Sequence, residues 1–306
     1  MPSQFAIGID LGGTAIKMIC LRASDGEVVA QDRTDTKDGE FTSSGSPVFA
    51  SNARSKAQAL TAQFGGAETP IGVSAPGLAS RDRRSIAYMP ARLHGLEKLD
   101  WGEFLERPAK VPVINDAHAA LIGEMAYGSA RGLQDVVLLT LGTGVGGAIA
   151  SGGRLLRGHI GRAGHLGHIT TDFRAPGDIC GTPGSLEDAI GFCTLEQRGG
   201  GKYESTTELV KAAESGDAQA QEIWDSSIRA LAASIASLTN AIDPEAFIIG
   251  GGIANAGAAL FDRIERHLEE YEWRPAGHRV RVIPAQLGEW AGAYGAAHLA
   301  QNPDAY

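Results

Sequence analysis

Two stretches of this chain share one plan: an apolar run, a glycine turn and a second apolar run. The first is Ala6-Ile7-Gly8-Ile9-Asp10-Leu11-Gly12-Gly13-Thr14-Ala15-Ile16-Lys17-Met18-Ile19-Cys20. The second runs from Asp135 to Ala150 and turns at Gly142-Thr143-Gly144-Val145-Gly146-Gly147. Each predicts a strand, a tight turn and an antiparallel return strand. A third glycine turn, Gly250-Gly251-Gly252, closes the apolar run Ala246–Ile249 and predicts a strand entering a helix. Glycine lets the backbone come close to a ligand, and successive turn N–H groups can face an anion such as a phosphate. A bare helix N-terminus after Gly252 would serve the same end. Any one of these turns also reads as a hairpin with a glycine bulge. Three at strand ends in an α/β pattern point together to a nucleotide site. None has the Gly-Lys-Ser/Thr of a P-loop or the spacing of a dinucleotide fold.

The two hairpins differ in one respect. The first strand ends in Asp10, which can hold a magnesium ion through water, because magnesium prefers oxygen ligands and keeps much of its hydration. The second has no acid at that place. That asymmetry fits a duplicated architecture with the metal in one half, and it also fits two unrelated hairpins. Lys17, on the first return strand, is counted with Asp10, Gly12, Gly13 and Thr14 as a candidate cofactor residue, beside Gly142, Thr143 and Gly144.

A length of 306 residues suits two ordinary domains or one large one, and 43% apolar residues suffice for packed cores. A net charge of −9 without a basic block disfavours a nucleic-acid partner. The three cysteines, Cys20, Cys180 and Cys193, are far apart and odd in number, as expected of reduced thiols in a cytoplasmic protein. Neither a signal peptide nor a run long enough to cross a bilayer is apparent, so no membrane partner is expected. A third antiparallel strand is expected over 27–33, a mobile polar loop over 34–47, a helix over 50–64 and a buried strand over 70–75. Residues 81–110 read as irregular apart from a short helix near Trp101. Helices are expected over 208–215, 218–240, 258–271 and 290–300, and a last strand over 280–284.

Several constellations carry possible chemistry. Asn115-Asp116 stands where a strand ends and a helix begins. Asp116 reads either as an N-cap or as a base that accepts a hydroxyl proton, with Asn115 orienting the hydroxyl. Ser74-Ala75-Pro76-Gly77 reads as a substrate-facing loop or as an ordinary Pro-Gly turn. His159, His165 and His168, with Asp178 and Cys180, form the cluster most suited to a metal, but a structural zinc commonly uses two or more thiolates and only one is near. Glu187 is either an acid in a helix's first turn or an acceptor for a polyol hydroxyl.

These pieces together resemble the ROK family of bacterial sugar kinases and sugar-responsive repressors, essentially end to end. Ile9-Asp10-Leu11-Gly12-Gly13-Thr14 resembles its first phosphate motif, and Leu141 to Gly147 its second. Ser74 to Gly77 resembles its substrate loop, Asn115 to Glu124 its catalytic segment and Gly250 to Gly252 its adenosine turn. Leu287-Gly288 with Ala291 to Ala297 resembles its closing helix. The resemblance implies an α/β, actin-like (ribonuclease H-like) duplicated two-domain fold, with substrates in the interdomain cleft. The N-terminal domain would comprise 1–116 plus the closing helix at about 290–306, and the C-terminal domain 117–289. It implies a kinase that uses ATP and magnesium, Asp116 as general base, and sugar contacts from Gly77, Asn115, Asp116, His165, His168 and Glu187. A homodimer is implied as well. The alternative is a sugar-binding or regulatory relative without catalysis.

The departures from the family pattern concern the sugar side. Its Glu-x-Gly-His motif reads His165-Leu166-Gly167-His168 here. Its zinc loop, Cys-x-Cys-Gly-x-x-Gly-Cys, reads Asp178-Ile179-Cys180-Gly181-Thr182-Pro183-Gly184-Ser185. Only His168 and Cys180 remain as zinc ligands, so the expectation is a loop without structural zinc, held by hydrogen bonds and by packing of Leu166, Ile169, Ile179 and Leu186. No asparagine matches the family's further sugar contact around Tyr88 to Arg92.

Overall fold

The computed structural model describes residues 3–90, 92–107 and 110–306. Residues 91, 108 and 109, within the stretch expected to be irregular, lie outside them. The chain forms two compact units. The first comprises Met1–Gly132, Arg154–Ala163 and Gln286–Tyr306, and the second Leu133–Gly153 and Gly164–Ala285.

In the first unit, β1 (Phe5–Leu11), β2 (Ala15–Arg22) and β3 (Val28–Asp35) form an antiparallel meander. Strand β4 (Ile71–Ala75) lies parallel to β1, and β7 (Val113–Asn115) parallel to β4, giving the order β3-β2-β1-β4-β7. Two short strands, β5 (Leu78–Ala79) and β6 (Ile86–Tyr88), pair apart from this sheet. The side chains of β1 alternate between the faces of the sheet. Ile7, Ile9 and Leu11 enter a core with Phe49 of α1 (Val48–Gln63) and with Trp101 of α2 (Trp101–Phe104). Ala6, Gly8 and Asp10 face the other way, toward α9 (Ala291–Gln301).

Helix α9 is made of alanine and glycine because backbone packs on backbone there. A Cβ at Gly8 would fall on the Ala293 carbonyl, and one at Gly295 on the Ala119 carbonyl of α3 (Asp116–Tyr127). Gly295→Val is therefore expected to destabilise the protein by about 3 kcal/mol, the upper range for forcing methyl groups into a filled core. Urea denaturation reads the shift, and an unchanged midpoint would contradict this packing.

The expected loop over 34–47 is tied down rather than loose. Thr36 donates to the Gly12 carbonyl, and Asp38 accepts from the Leu93 and His94 backbone N–H groups. The two-residue strand β10 (Arg154–Leu155), also in this unit, has no counterpart among the sequence expectations.

The second unit repeats the local plan. Strands β8 (Val136–Leu141) and β9 (Val145–Ser151) form the antiparallel hairpin, and β11 (Ala246–Gly250) runs parallel to both β8 and β12 (Arg281–Pro284). Helices α6 (Thr206–Glu214), α7 (Ala218–Ile242) and α8 (Ala258–Tyr271) follow. Trp224, Ile228 and Ile235 of α7 and Leu260, Ile264 and Leu268 of α8 fill one core with Phe247 and Ile249. Ser205 caps α6 by accepting from Glu208 N–H. The short helices α4 (Leu186–Ile190) and α5 (Leu195–Gly199) interrupt the glycine-rich stretch. One expectation fails at the triple glycine. A 3₁₀ segment, Gly252–Ala256, follows Gly251, and α8 begins only at Ala258. No α-helix N-terminus therefore stands at Gly252; the turn offers bare backbone without a helix dipole. Among the described residues, no helix is long and apolar enough to cross a membrane.

Candidate active site

In the first unit, Asp10 lies at the end of β1 in register with Ser74 of β4. The Ser74 hydroxyl donates to Asp10 Oδ1 at 2.7 Å, and Lys17 Nζ is 3.9 Å from Oδ2. A Cβ at Gly292 would come 2.6 Å from Oδ1, so the closing helix needs glycine there to leave the carboxylate its place. Burial pushes the Asp10 carboxyl up to about 6, against the Ser74 hydrogen bond and Lys17, with Asp116 adding to the rise. Glu289 approaches Lys17 at 3.7 Å and pairs with Arg33 at 2.6 Å. The turn beside it is exposed at Gly13 and Thr14. Its backbone is braced by Gly12 N–H to the Ala15 carbonyl and by Thr36 N–H to the Thr14 carbonyl.

Of the two roles read for Asp116, that of N-cap falls to Asn115. The N-cap of α3 is Asn115, whose Oδ1 accepts from Ala117 and His118 N–H, while its Nδ2 donates to the Gly77 carbonyl at 3.0 Å. The asparagine thus locks the substrate loop to the helix start. One amide hydrogen of Nδ2 is left over to meet a hydroxyl. Asp116 is the first helical residue and is exposed, with Oδ1 held by its neighbour's N–H at 2.8 Å. His118 Nε2 lies 2.9 Å from the Ala163 carbonyl, which can only accept, so this nitrogen carries a proton.

In the second unit, the turn 142–144 is closed by Gly142 N–H to the Gly144 carbonyl. It is also clamped by Phe192 and Cys193 N–H to the carbonyls of Gly142 and Thr143. Glu187, in the first turn of α4, accepts from Val145 N–H at 2.9 Å, and a Cβ on Gly144 would collide with its carboxylate. The structure thus joins the Glu187 side chain to the second glycine turn, a link that spacing does not reveal. His165 precedes and His168 ends the 3₁₀ turn Leu166–His168, which packs on the start of β9 at Gly147 and Val145. Gly251 and Gly252 are exposed at the third turn.

The loop 165–187 departs from expectation at two residues. Leu166 and Leu186 are buried and Ile169 packs on the core, but Ile179 is 83% exposed. Asp178 joins His168 and Cys180 as a third potential ligand; His159 is not in that group. The set still does not fit a structural zinc. Asp178 Oδ1 accepts from Cys180 and Thr182 N–H, and its Oδ2 lies 2.8 Å from His168 Nδ1, hydrogen-bonded directly. The Ser185 hydroxyl caps α4. Partial burial, with Asp178 and Glu187 nearby, pushes the Cys180 thiol up.

Sequence reasoning placed Ser74 in the substrate loop and not beside Asp10, and it left out Glu289. Ser74 becomes legible only through the parallel register that sets it beside Asp10, and Glu289 only through the seating of α9.

Two sheets, each with a glycine-turn hairpin beside a parallel strand, define an actin-like α/β protein of the ribonuclease H-like kind. The chain belongs to the ROK family, which it matches over residues 6–303. A glucokinase of Halalkalibacterium halodurans is 32% identical over 99% of this chain and 97% of its own. An N-acetylmannosamine kinase of Escherichia coli is 32% identical over 97% and 98%. The ROK family glucokinase of Streptomyces griseus, solved with glucose and AMPPNP, is 29% identical. It superposes with a TM-score of 0.76 over 97% of this chain and 99% of its own.

Proposed function

We propose that this protein is an ATP-dependent kinase that phosphorylates a hydroxyl of a hexose or related sugar, with Asp116 as general base. The observation that carries the reading is the placement of Asp116. An exposed carboxylate sits on the first turn of a capped helix, in the same unit as a buried acid at a glycine turn. The relatives' names, glucokinase and N-acetylmannosamine kinase, support the substrate class.

The sugar hydroxyl donates to Asp116, which takes its proton as the oxygen attacks the γ-phosphorus and the bond from that phosphorus to the β,γ-bridging oxygen breaks, releasing ADP. Asn115, held by Gly77, orients the same hydroxyl. Asp10 fits a hydrated divalent cation: one oxygen is taken by Ser74, and the other faces Lys17 across 3.9 Å. Such an ion, magnesium in the first instance, neutralises phosphate charge when bound. The backbone of 12–14 and 142–144 would cradle the phosphates, and that of 250–252 the adenosine. Coupled assays with ATP and magnesium over hexoses, amino sugars and polyols test the reading. Turnover of at least one sugar is expected, and sugar binding without turnover of any would replace it with a non-catalytic binder.

Gly144→Val tests the second turn. Its side chain displaces the Glu187 carboxylate and with it the Val145 contact, so ATP affinity should fall about tenfold, with sugar affinity falling too. Calorimetric titration with each ligand separately checks this. Unchanged affinity for both would remove the turn from the site.

A further inference from the structure

The loop 165–187 lacks two of the thiolates of its family's zinc, yet it is ordered around a single group. The Asp178 carboxylate stands at the first cysteine position of the family pattern and has no exposed side-chain surface. It accepts from Cys180 N–H at 2.8 Å, Thr182 N–H at 2.9 Å and His168 Nδ1 at 2.8 Å. These partners include His168 and Cys180, the two members of the family's ligand set that the loop keeps. Burial raises the carboxyl, but the hydrogen bonds from His168, Thr182 and Cys180 outweigh it and hold it below the usual carboxylate range. The group is an anion satisfied from every side. The peptide between its partners closes on itself through Asp178 N–H to the Thr182 carbonyl and Gly181 N–H to the Asp178 carbonyl.

We propose that Asp178 anchors this loop in place of a metal ion and is a positioning residue that fixes the tautomer and aim of His168. A carboxylate only accepts, so His168 Nδ1 must carry the proton. Its Nε2 then presents a lone pair. The second contact agrees: the Cys180 thiol, a weak donor, lies 3.7 Å from Nε2. His168 remains one-third exposed, so Nε2 can exchange that thiol for a ligand. What it takes is a hydroxyl that donates. On the sugar-kinase reading above, on which this step rests, the sugar hydroxyl at His168 must give its hydrogen. A sugar carrying fluorine or a methyl ether at that carbon should be refused, because the lone pair and the desolvated ring nitrogen stay unpaired. A metal on Nδ1 would instead leave the proton on Nε2 and make it a donor. The carboxylate thus takes over the ion's orienting role without its thiolate ligands, and it reverses the polarity of the outward nitrogen.

Three measurements on the full-length chain test this. Protein purified without chelator should hold far less than one zinc per chain and should melt unchanged after chelation. Nitrogen-15 NMR, with His168→Gln for assignment, should give His168 as the Nδ1-protonated tautomer. In Asp178→Asn the amide can meet Nδ1 as donor or acceptor, so the tautomers should mix. Sugar KM should then rise about tenfold while kcat stays nearly constant. Asp178→Cys/Ser185→Cys, which restores the family's ligand pattern, should gain zinc. A wild-type chain with stoichiometric zinc, or a His168 protonated on Nε2, overturns the proposal whether or not Asp178→Asn folds. An unchanged tautomer and KM in Asp178→Asn overturn the positioning role. Metal content and tautomer are read without turnover, so failure of the kinase reading is told apart from failure of the anchor.

Discussion

Asp116→Asn is expected to lower turnover by on the order of 10²–10⁴-fold while leaving the fold and nucleotide affinity intact. The physical ground is the division of labour at the start of α3. The helix cap is Asn115, with Oδ1 on Ala117 and His118 N–H, so Asp116 is not needed to begin the helix. Its carboxylate is exposed. Changing it to the isosteric amide removes the ability to take a proton and leaves the Ala117 contact an acceptor oxygen. Steady-state kinetics beside a denaturation curve separate the outcomes. Near-normal turnover would take Asp116 out of the mechanism. Loss of activity together with loss of stability would mean that the residue serves the fold.

Asp10→Asn is expected to have two effects of opposite sign. Turnover with ATP should fall by at least about a hundredfold, because the group that fits the hydrated cation has lost its charge. The metal-free protein should become more stable at neutral pH. Burial raises the Asp10 carboxyl from an ordinary carboxylate value to about 6, so the fold disfavours the charged form. In the metal-free chain the stability associated with its protonated form is fully present below about pH 4 and is lost as pH rises through about 6. A shift of roughly two pKa units corresponds to about 3 kcal/mol, and the buried amide recovers part of it. Asp10→Asn should therefore melt higher than the parent at pH 8 and equally at pH 4, both without divalent cation. A magnesium-dependent rise in melting temperature should appear in the parent alone. A variant less stable than the parent at pH 8 would show that Lys17 and Ser74 overcompensate the burial.

The alternation of Ile7, Ile9 and Leu11 with Gly8 and Asp10, and the glycine turns after Leu11, Leu141 and Gly250, are local patterns. So are the helix signals at Ser205 and along 218–240 and 258–271. Backbone conformation and the period of burial act over a few residues, which is why the strands and long helices were readable and why the family motifs could be matched. The helix over 290–300 was likewise legible, though not what it packs against.

The sequence by itself therefore determined the hairpins, the long helices and the residue types available for phosphate, cation and base. Tertiary structure decided the partners. Ser74 reaches Asp10 through the parallel pairing of strands separated by helix α1. Glu187 reaches Val145 across a loop with no periodicity, and Asn115 rather than Asp116 caps α3 because its side chain also finds Gly77. Asp178 became the centre of its loop while Ile179, expected to pack there, faces solvent. Each outcome depends on which buried donors and acceptors meet once the chain is compact. A desolvated polar group takes the partner that packing brings to it, and that partner carries no mark in the residues beside it.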